Sequence, residues 1–157
     1  MRKILLFMLM TISFILGIDA QSVSYKSLEI ECLNSERDGS QTLRVWGEGR
    51  NKNDAIEQAK KDAVYAVIFK GIRGGTEKGC NVHPIVFEVN AEKKYEYYFN
   101  TFFKDGGEYV NYVSMEDRRP GTTIKKKGNT QVKCCITVRV LRPELKQKLI
   151  EDKIIKP

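Results

Sequence analysis

The only histidine of the chain, His83, is the first candidate for acid–base or nucleophilic chemistry. A serine or cysteine hydrolase needs a histidine to take the proton of its nucleophile. His83 stands beside Pro84 in a glycine-rich stretch, and no recognisable nucleophile motif accompanies it. We therefore expect no catalytic residue. The alternative is a small secreted hydrolase or metal-binding protein that uses His83 and the cysteines.

The cysteines offer either disulfide or metal chemistry, and they are Cys32, Cys80, Cys134 and Cys135. The pair Cys80 and His83 is half of a zinc-type spacing, which Cys134 or Cys135 would have to complete in space. Four cysteines allow three complete disulfide pairings, and the sequence does not choose among them. Neighbours in a strand point to opposite faces, so Cys134 and Cys135 are expected in different environments. Buried free thiols are the remaining interpretation. We predict no metal and no cofactor.

The stretch Gly47-Glu48-Gly49 lies between a predicted strand and a predicted helix. A glycine-rich turn in this position can hold a phosphate against the free N–H groups of the helix N-terminus. The third glycine of a dinucleotide fingerprint and the Gly-Lys-Ser/Thr end of a P-loop are both missing. Glu48 and Asp54 would also repel an anion. We therefore interpret the stretch as a tight turn that ends the strand.

A basic connection is the best candidate binding surface in the sequence. It contains Arg118, Arg119, Lys125, Lys126 and Lys127. Such a concentration of positive charge attracts anionic surfaces. No aromatic residues alternate with these charges, so the stacking of bases or sugars is not indicated. The alternative is a solvated hairpin loop without a binding role.

The N-terminus has the pattern of a secretory signal peptide. Arg2 and Lys3 precede an apolar stretch at residues 4–18, which is shorter than the roughly 20 residues of a membrane-spanning helix. Ala20 is a small residue suited to a cleavage site, which would leave Gln21 as the new N-terminus. We predict a signal peptide over residues 1–20 and a periplasmic or secreted protein. An uncleaved membrane anchor is the alternative.

Residues 21–157 are enough for a single domain with its own core. The whole chain has a formal net charge of +7, and loss of Arg2, Lys3 and Asp19 with the leader leaves +6. A surplus of this size suits acidic partners, and export argues against nucleic acid. We expect an envelope protein or an anionic envelope surface as the partner, and a chain that is soluble unless a partner holds it. The sequence does not set the oligomeric state.

Strands are predicted where apolar and polar residues alternate with a period of two. The predicted strands are residues 25–33, 42–47, 109–115 and 131–141, and the first two form a hairpin. Residues 71–84 are rich in glycine and predict an exposed loop. A short extended run is expected at residues 85–89. These elements predict an antiparallel sheet of about four strands.

Helices are predicted where apolar residues recur at helical spacing. The first is at residues 54–69, with a cap at Asn51 and an alanine-rich face. The second is at residues 91–103, with a cap at Asn90 and an aromatic stripe that we assign to the core. Pro143 begins a short C-terminal helix. We therefore predict an α+β fold with the two main helices packed on one face of the sheet, burying Ala59, Ala63, Phe99 and Phe102.

The segment Leu43-Arg44-Val45-Trp46-Gly47-Glu48-Gly49, followed by the helix beginning Asp54-Ala55-Ile56, resembles the LPP-twenty-like bacterial envelope lipoproteins and the related N-terminal domain of the flagellar assembly protein FlgT. The late strand, Val132 to Val140, with the helix after it, is similar to the end of those domains. The resemblance covers about a third of the chain. It implies a small α+β envelope domain that works through protein contacts without chemistry. The chain has Gln21 where the lipoproteins need a lipid-bearing cysteine.

Overall fold

The computed structural model describes residues 28–73, 80–116, 126–127 and 132–157, and of residues 126–127 it gives the backbone alone. Some of the sequence predictions fall outside this part of the chain. They are the signal peptide with its cleavage site after Ala20, the start of the first strand, the middle of the glycine-rich loop, and Arg118, Arg119 and Lys125.

The described chain has the predicted α+β fold, built on an antiparallel sheet. The strands are β1 (Ile30–Ser35), β2 (Gln41–Gly49), β3 (Val113–Met115), β4 (Lys126–Lys127) and β5 (Val132–Val140). Their order is β1-β2-β5-β3, and the two-residue β4 also pairs with β5. The hairpin of β1 and β2 is confirmed, and β2 and β5 form the centre of the sheet.

Alternation along β2 and β5 gives the sheet an inner and an outer face. Leu43 and Val45 on β2 and Val138 on β5 are fully buried on the inner face. The outer face carries ion pairs: Arg44 pairs across the strands with Glu31 at 2.8 Å, and Arg139 pairs with Asp38 of the β1–β2 turn at 2.6 Å. The strand predicted at residues 131–141 is therefore confirmed over Val132–Val140, and residue 131 lies outside the described residues.

The first main helix, α1 (Lys52–Tyr65), continues into a π-helical turn, Ala66–Lys70. Its predicted cap is confirmed, because the Asn51 side chain accepts a hydrogen bond from the Asp54 N–H at 3.0 Å. Gly71, with φ +70°, ends the helical stretch as predicted. Ala59 and Ala63 have no exposed surface, so the alanine face packs on the sheet.

The prediction that Gly47 and Gly49 form a tight turn is wrong, since both belong to β2. They allow α1 to lie directly on the strand. A Cβ on Gly47 would lie 2.5 Å from the Ala59 backbone nitrogen, and one on Gly49 would lie 2.5 Å from the Ala55 nitrogen. Any side chain at these positions would push the helix away. The covered backbone also leaves no room for the phosphate that a glycine turn would hold.

The second main helix is interrupted, contrary to the prediction of one helix over residues 91–103. It consists of α2 (Ala91–Lys94) and α3 (Glu96–Phe102), with Tyr95 at φ −112° between them. Asn90 is not a side-chain cap, because it adopts a left-handed conformation with φ 61° and makes no capping hydrogen bond. The aromatic stripe is core, as predicted: Phe99 and Phe102 are 4% and 2% exposed.

Aromatic contacts hold α3 against the neighbouring elements. Phe99 packs edge-on against Phe69 of the π-helical turn, with ring centroids 4.8 Å apart. Phe102 stacks on Tyr112, with centroids 6.1 Å apart. Such pairs are each worth about 1 kcal/mol beyond the area they bury. The aromatic residues therefore belong to the same core as the sheet and α1.

The strand predicted at residues 109–115 is only partly correct. Glu108–Tyr112 is a 3-10 helix, and β3 begins at Val113. The reason is Tyr109, which is fully buried and donates its hydroxyl to Glu57 at 2.9 Å. A buried tyrosine needs a partner for its hydroxyl, and this contact with α1 draws the backbone out of the line of the strand.

The predicted C-terminal helix is confirmed as α4 (Arg142–Glu151), with Pro143 in its first turn. Leu145 and Leu149 are fully buried. After the helix, Asp152 accepts a hydrogen bond from the Tyr98 hydroxyl at 2.6 Å. It also forms an ion pair with Lys148 at 3.1 Å. Desolvation by burial, followed by this hydrogen bond, raises the pKa of Tyr98. Within the described residues, no helix has the length and apolar character required to cross a membrane.

Replacing Gly47 with alanine should destabilise the fold by about 3 kcal/mol or more, because the new Cβ overlaps the backbone of α1. Urea unfolding measures the loss. Gly106→Ala is the control: nothing lies within 4 Å of its Cβ position, and its φ of +66° alone costs about 1 kcal/mol. Equal losses in the two variants would contradict the close-packing role of Gly47.

Candidate functional site

The described chain forms one disulfide and none of the three complete pairings that the sequence allowed, because Cys134 and Cys135 are not joined to each other and are buried thiols, as the remaining interpretation had it. Cys32 on β1 is bonded to Cys80, with Cα atoms 5.7 Å apart. Cys134 and Cys135 are both buried. Cys134 lies opposite Gly47 on the inner face, and Cys135 lies opposite Trp46 on the outer face. Their different faces agree with the prediction for neighbouring strand residues.

The zinc-type spacing of Cys80 and His83 does not assemble a metal site in the described part of the chain. The Cys80 sulfur is bonded to Cys32, so it offers no thiolate. Nowhere among the described residues do three or more His, Cys, Asp or Glu side chains come together as metal ligands would. His83 itself is exposed.

The residues that follow the disulfide are firmly anchored, which corrects the prediction of a fully exposed loop at residues 71–84. Val82 and Ile72 exchange two backbone hydrogen bonds, of 2.8 and 2.9 Å. Ile85 and Val86 donate their N–H groups to the carbonyls of Val67 and Ile68 in the π-helical turn, at 3.1 and 2.9 Å. Ile72, Cys80, Ile85 and Val86 are all buried, at 3% to 5% exposure.

Two large apolar side chains project from this anchored segment into solvent. Phe87 is 71% exposed and Val89 is 84% exposed. The Phe87 ring lies beside the imidazole of His83, with centroids 6.1 Å apart. Apolar side chains that are exposed together on a fixed backbone are typical of contact sites. The sequence analysis missed them, because the apolar run at residues 85–89 does not indicate which of its members face inward.

Arg142 adds a positive charge next to His83. Its Nη2 donates to the backbone carbonyl of His83 at 3.1 Å, while its Nε is buried and has no hydrogen-bond partner among the described residues. Burial lowers the pKa of the Arg142 guanidinium. By contrast, Arg44 and Arg139 each pair with a carboxylate. We call His83, Phe87, Val89 and Arg142 the Phe87 surface.

The basic connection is described only in part. Lys126 and Lys127 form β4, paired with Lys133 and Val132 of β5, so the prediction that they lie in a loop is wrong. β3 pairs with only one end of β5. The rest of the same edge of this long strand is therefore open to β4. Arg118, Arg119 and Lys125 lie outside the described residues, so the grouping of the five basic residues stays a prediction.

No protein-family model, curated protein or solved structure matches the chain at a significant level. The resemblance to envelope lipoproteins and to the FlgT domain therefore stays a prediction.

Removing the disulfide with Cys32→Ala and Cys80→Ala should lower the free energy of unfolding by about 4 kcal/mol. The bond joins residues 48 positions apart, and a link over that span restricts the unfolded chain by about this amount. Urea unfolding with and without dithiothreitol measures it. The reductant should lower the midpoint of the unaltered protein and leave the double variant unchanged; an equal response in both would contradict the prediction.

Proposed function

We infer that the chain is an exported, non-catalytic accessory or binding protein of the bacterial cell envelope, which acts through protein or envelope contacts. The observation that carries this proposal is the buried Cys32–Cys80 disulfide. Structural disulfides form and persist in oxidising compartments, and the periplasm and the cell exterior are such compartments. The predicted signal peptide at residues 1–20 leads to the same location.

Outside the core, the described side chains support a binding function rather than a catalytic or metal-binding one. His83 contacts Phe87 rather than a nucleophile, and Cys80 is bonded to Cys32. The glycines that could have formed a phosphate turn instead pack against α1. The Phe87 surface instead presents two exposed apolar side chains on an anchored backbone, which suit contact with another protein. This supports the binding proposal over the hydrolase or metal-binding alternative.

Fractionation of the native cell tests the location. We expect the protein in the periplasmic or extracellular fraction, with Gln21 as its N-terminal residue by mass spectrometry and with the Cys32–Cys80 bond formed. Replacing Ala20 with a bulky residue should block cleavage, because signal peptidases need a small residue there. A cytoplasmic protein with an intact N-terminus and reduced cysteines would refute the proposal.

Anionic envelope surfaces are the second class of partner, and Arg118, Arg119, Lys125, Lys126 and Lys127 are the proposed contact residues. If they bind anionic vesicles or envelope polysaccharide, retention should weaken as salt rises, because the Debye length falls from about 10 Å at 0.1 M to about 3 Å at 1 M. Replacing all five with glutamine should abolish retention.

The matched control removes the same charge elsewhere. Lys52, Lys93, Lys104, Lys146 and Lys156 are exposed. Their replacement by glutamine should leave most of the retention in place, since they are spread over several elements. Equal losses in the two variants would mean that net charge, rather than the basic connection, provides the attraction.

A further inference from the structure

We propose that the Phe87 surface binds a segment of a partner protein that presents a carboxylate next to a large apolar side chain. The proposal rests on the proposed function, a binding protein acting through protein contacts, and it names the site and the chemistry of the partner. Two independent features carry it. One is the pair of exposed apolar side chains, Phe87 and Val89, on a fixed backbone. The other is the half-buried guanidinium of Arg142, which pairs with no carboxylate among the described residues.

The apolar half is held in place before any partner arrives. The disulfide fixes the segment at Cys80, and hydrogen bonds to Ile72, Val67 and Ile68 fix it through Val86. Phe87 follows directly. A side chain on an ordered backbone loses less entropy on binding than one on a mobile loop, so more of its contact energy appears as affinity. Exposed aromatic residues of this kind are frequent binding hot spots.

Arg142 is the charged half of the Phe87 surface, and its guanidinium is partly buried without a carboxylate partner among the described residues. Arg142 is half-buried, and within the described residues it forms no ion pair. Its one hydrogen bond goes to the His83 carbonyl, which leaves the buried Nε without an acceptor. A carboxylate from outside would form charge-assisted hydrogen bonds with the planar guanidinium. His83 links the two halves, since its carbonyl accepts the hydrogen bond from Arg142 and its ring centroid lies 6.1 Å from that of Phe87.

The charges around the patch favour a protein segment over a membrane. Glu88, between Phe87 and Val89, forms an ion pair with Lys94 at 2.6 Å, so this pair adds no net positive charge to the rim. An anionic membrane surface is attracted by a cluster of several lysines or arginines near the surface. A single guanidinium and an exposed aromatic ring, both next to His83, instead match one carboxylate and one apolar side chain.

A phage-displayed library of short random peptides tests the proposal. Peptides selected on the oxidised, leader-free protein should carry Asp or Glu close to Leu, Ile, Phe or Trp. Phe87→Ser and Arg142→Gln should each weaken their binding by about tenfold, or about 1.4 kcal/mol. Tyr97→Ser and Lys146→Gln are matched controls: Tyr97 is 89% exposed, Lys146 lies on the same helix as Arg142, and both should bind normally.

Each other outcome would overturn the proposal. Selected peptides without an acidic residue, no selection at all, or equal binding by Phe87→Ser and the unaltered protein would do so. Self-association abolished by Phe87→Ser would make a second copy the occupant, and binding to phosphatidylglycerol vesicles lost in the same variant would make it lipid. Thermal unfolding must show that the variants are folded. Arg142→Lys keeps the positive charge but loses the planar guanidinium, which can donate two parallel hydrogen bonds, so this variant should bind at an intermediate level.

The two proposals fail separately. If an envelope protein were retained equally by Phe87→Ser and Arg142→Gln, the binding function would stand and this site would be wrong. If the peptides bound as expected but the protein were found reduced in the cytoplasm, the site would stand and the proposed location would be wrong.

Discussion

The close approach of α1 to the end of β2 is the contact on which the rest of the fold depends. Gly47 and Gly49 have no side chain on the inner face, and Ala55 and Ala59 meet them from the helix. A helix held this near its strand leaves little space for large side chains between the two. The large aromatic residues pack elsewhere in the core, Phe99 against the π-helical turn and Phe102 against the 3-10 helix.

Patterns that depend on the local backbone could be predicted from the sequence. The alternation along β5 places Val138 inward and Arg139 outward because successive strand side chains point to opposite faces. The Asn51 cap and the Gly71 stop were predictable for the same reason, since each satisfies or ends the hydrogen bonding of its own helix. The aromatic stripe also predicted the burial of Phe99 and Phe102, whereas its other rings, Tyr95, Tyr98 and Phe103, are only partly buried.

Features that depend on tertiary contacts could not be predicted. The sequence around Gly47 fits a turn as well as a strand that is covered by a helix. The packing of α1 on this strand decides between the two. The 3-10 helix follows from the contact of Tyr109 with Glu57, more than fifty positions earlier in the chain. In the candidate site, the partner of Cys80 and the isolation of Arg142 arise only when distant segments meet.

The central strand pair has a consequence for how the chain reaches its structure. β2 pairs along its whole length with β5, from Gln41 opposite Val140 to Gly49 opposite Val132. The β1–β2 hairpin and α1 use nearby residues, but the middle of the sheet closes only when the ends of the described chain meet. Contacts so far apart in sequence slow folding. Until β5 is made, one edge of β2 stays open, so the core cannot form before residues 132–140 have been synthesised.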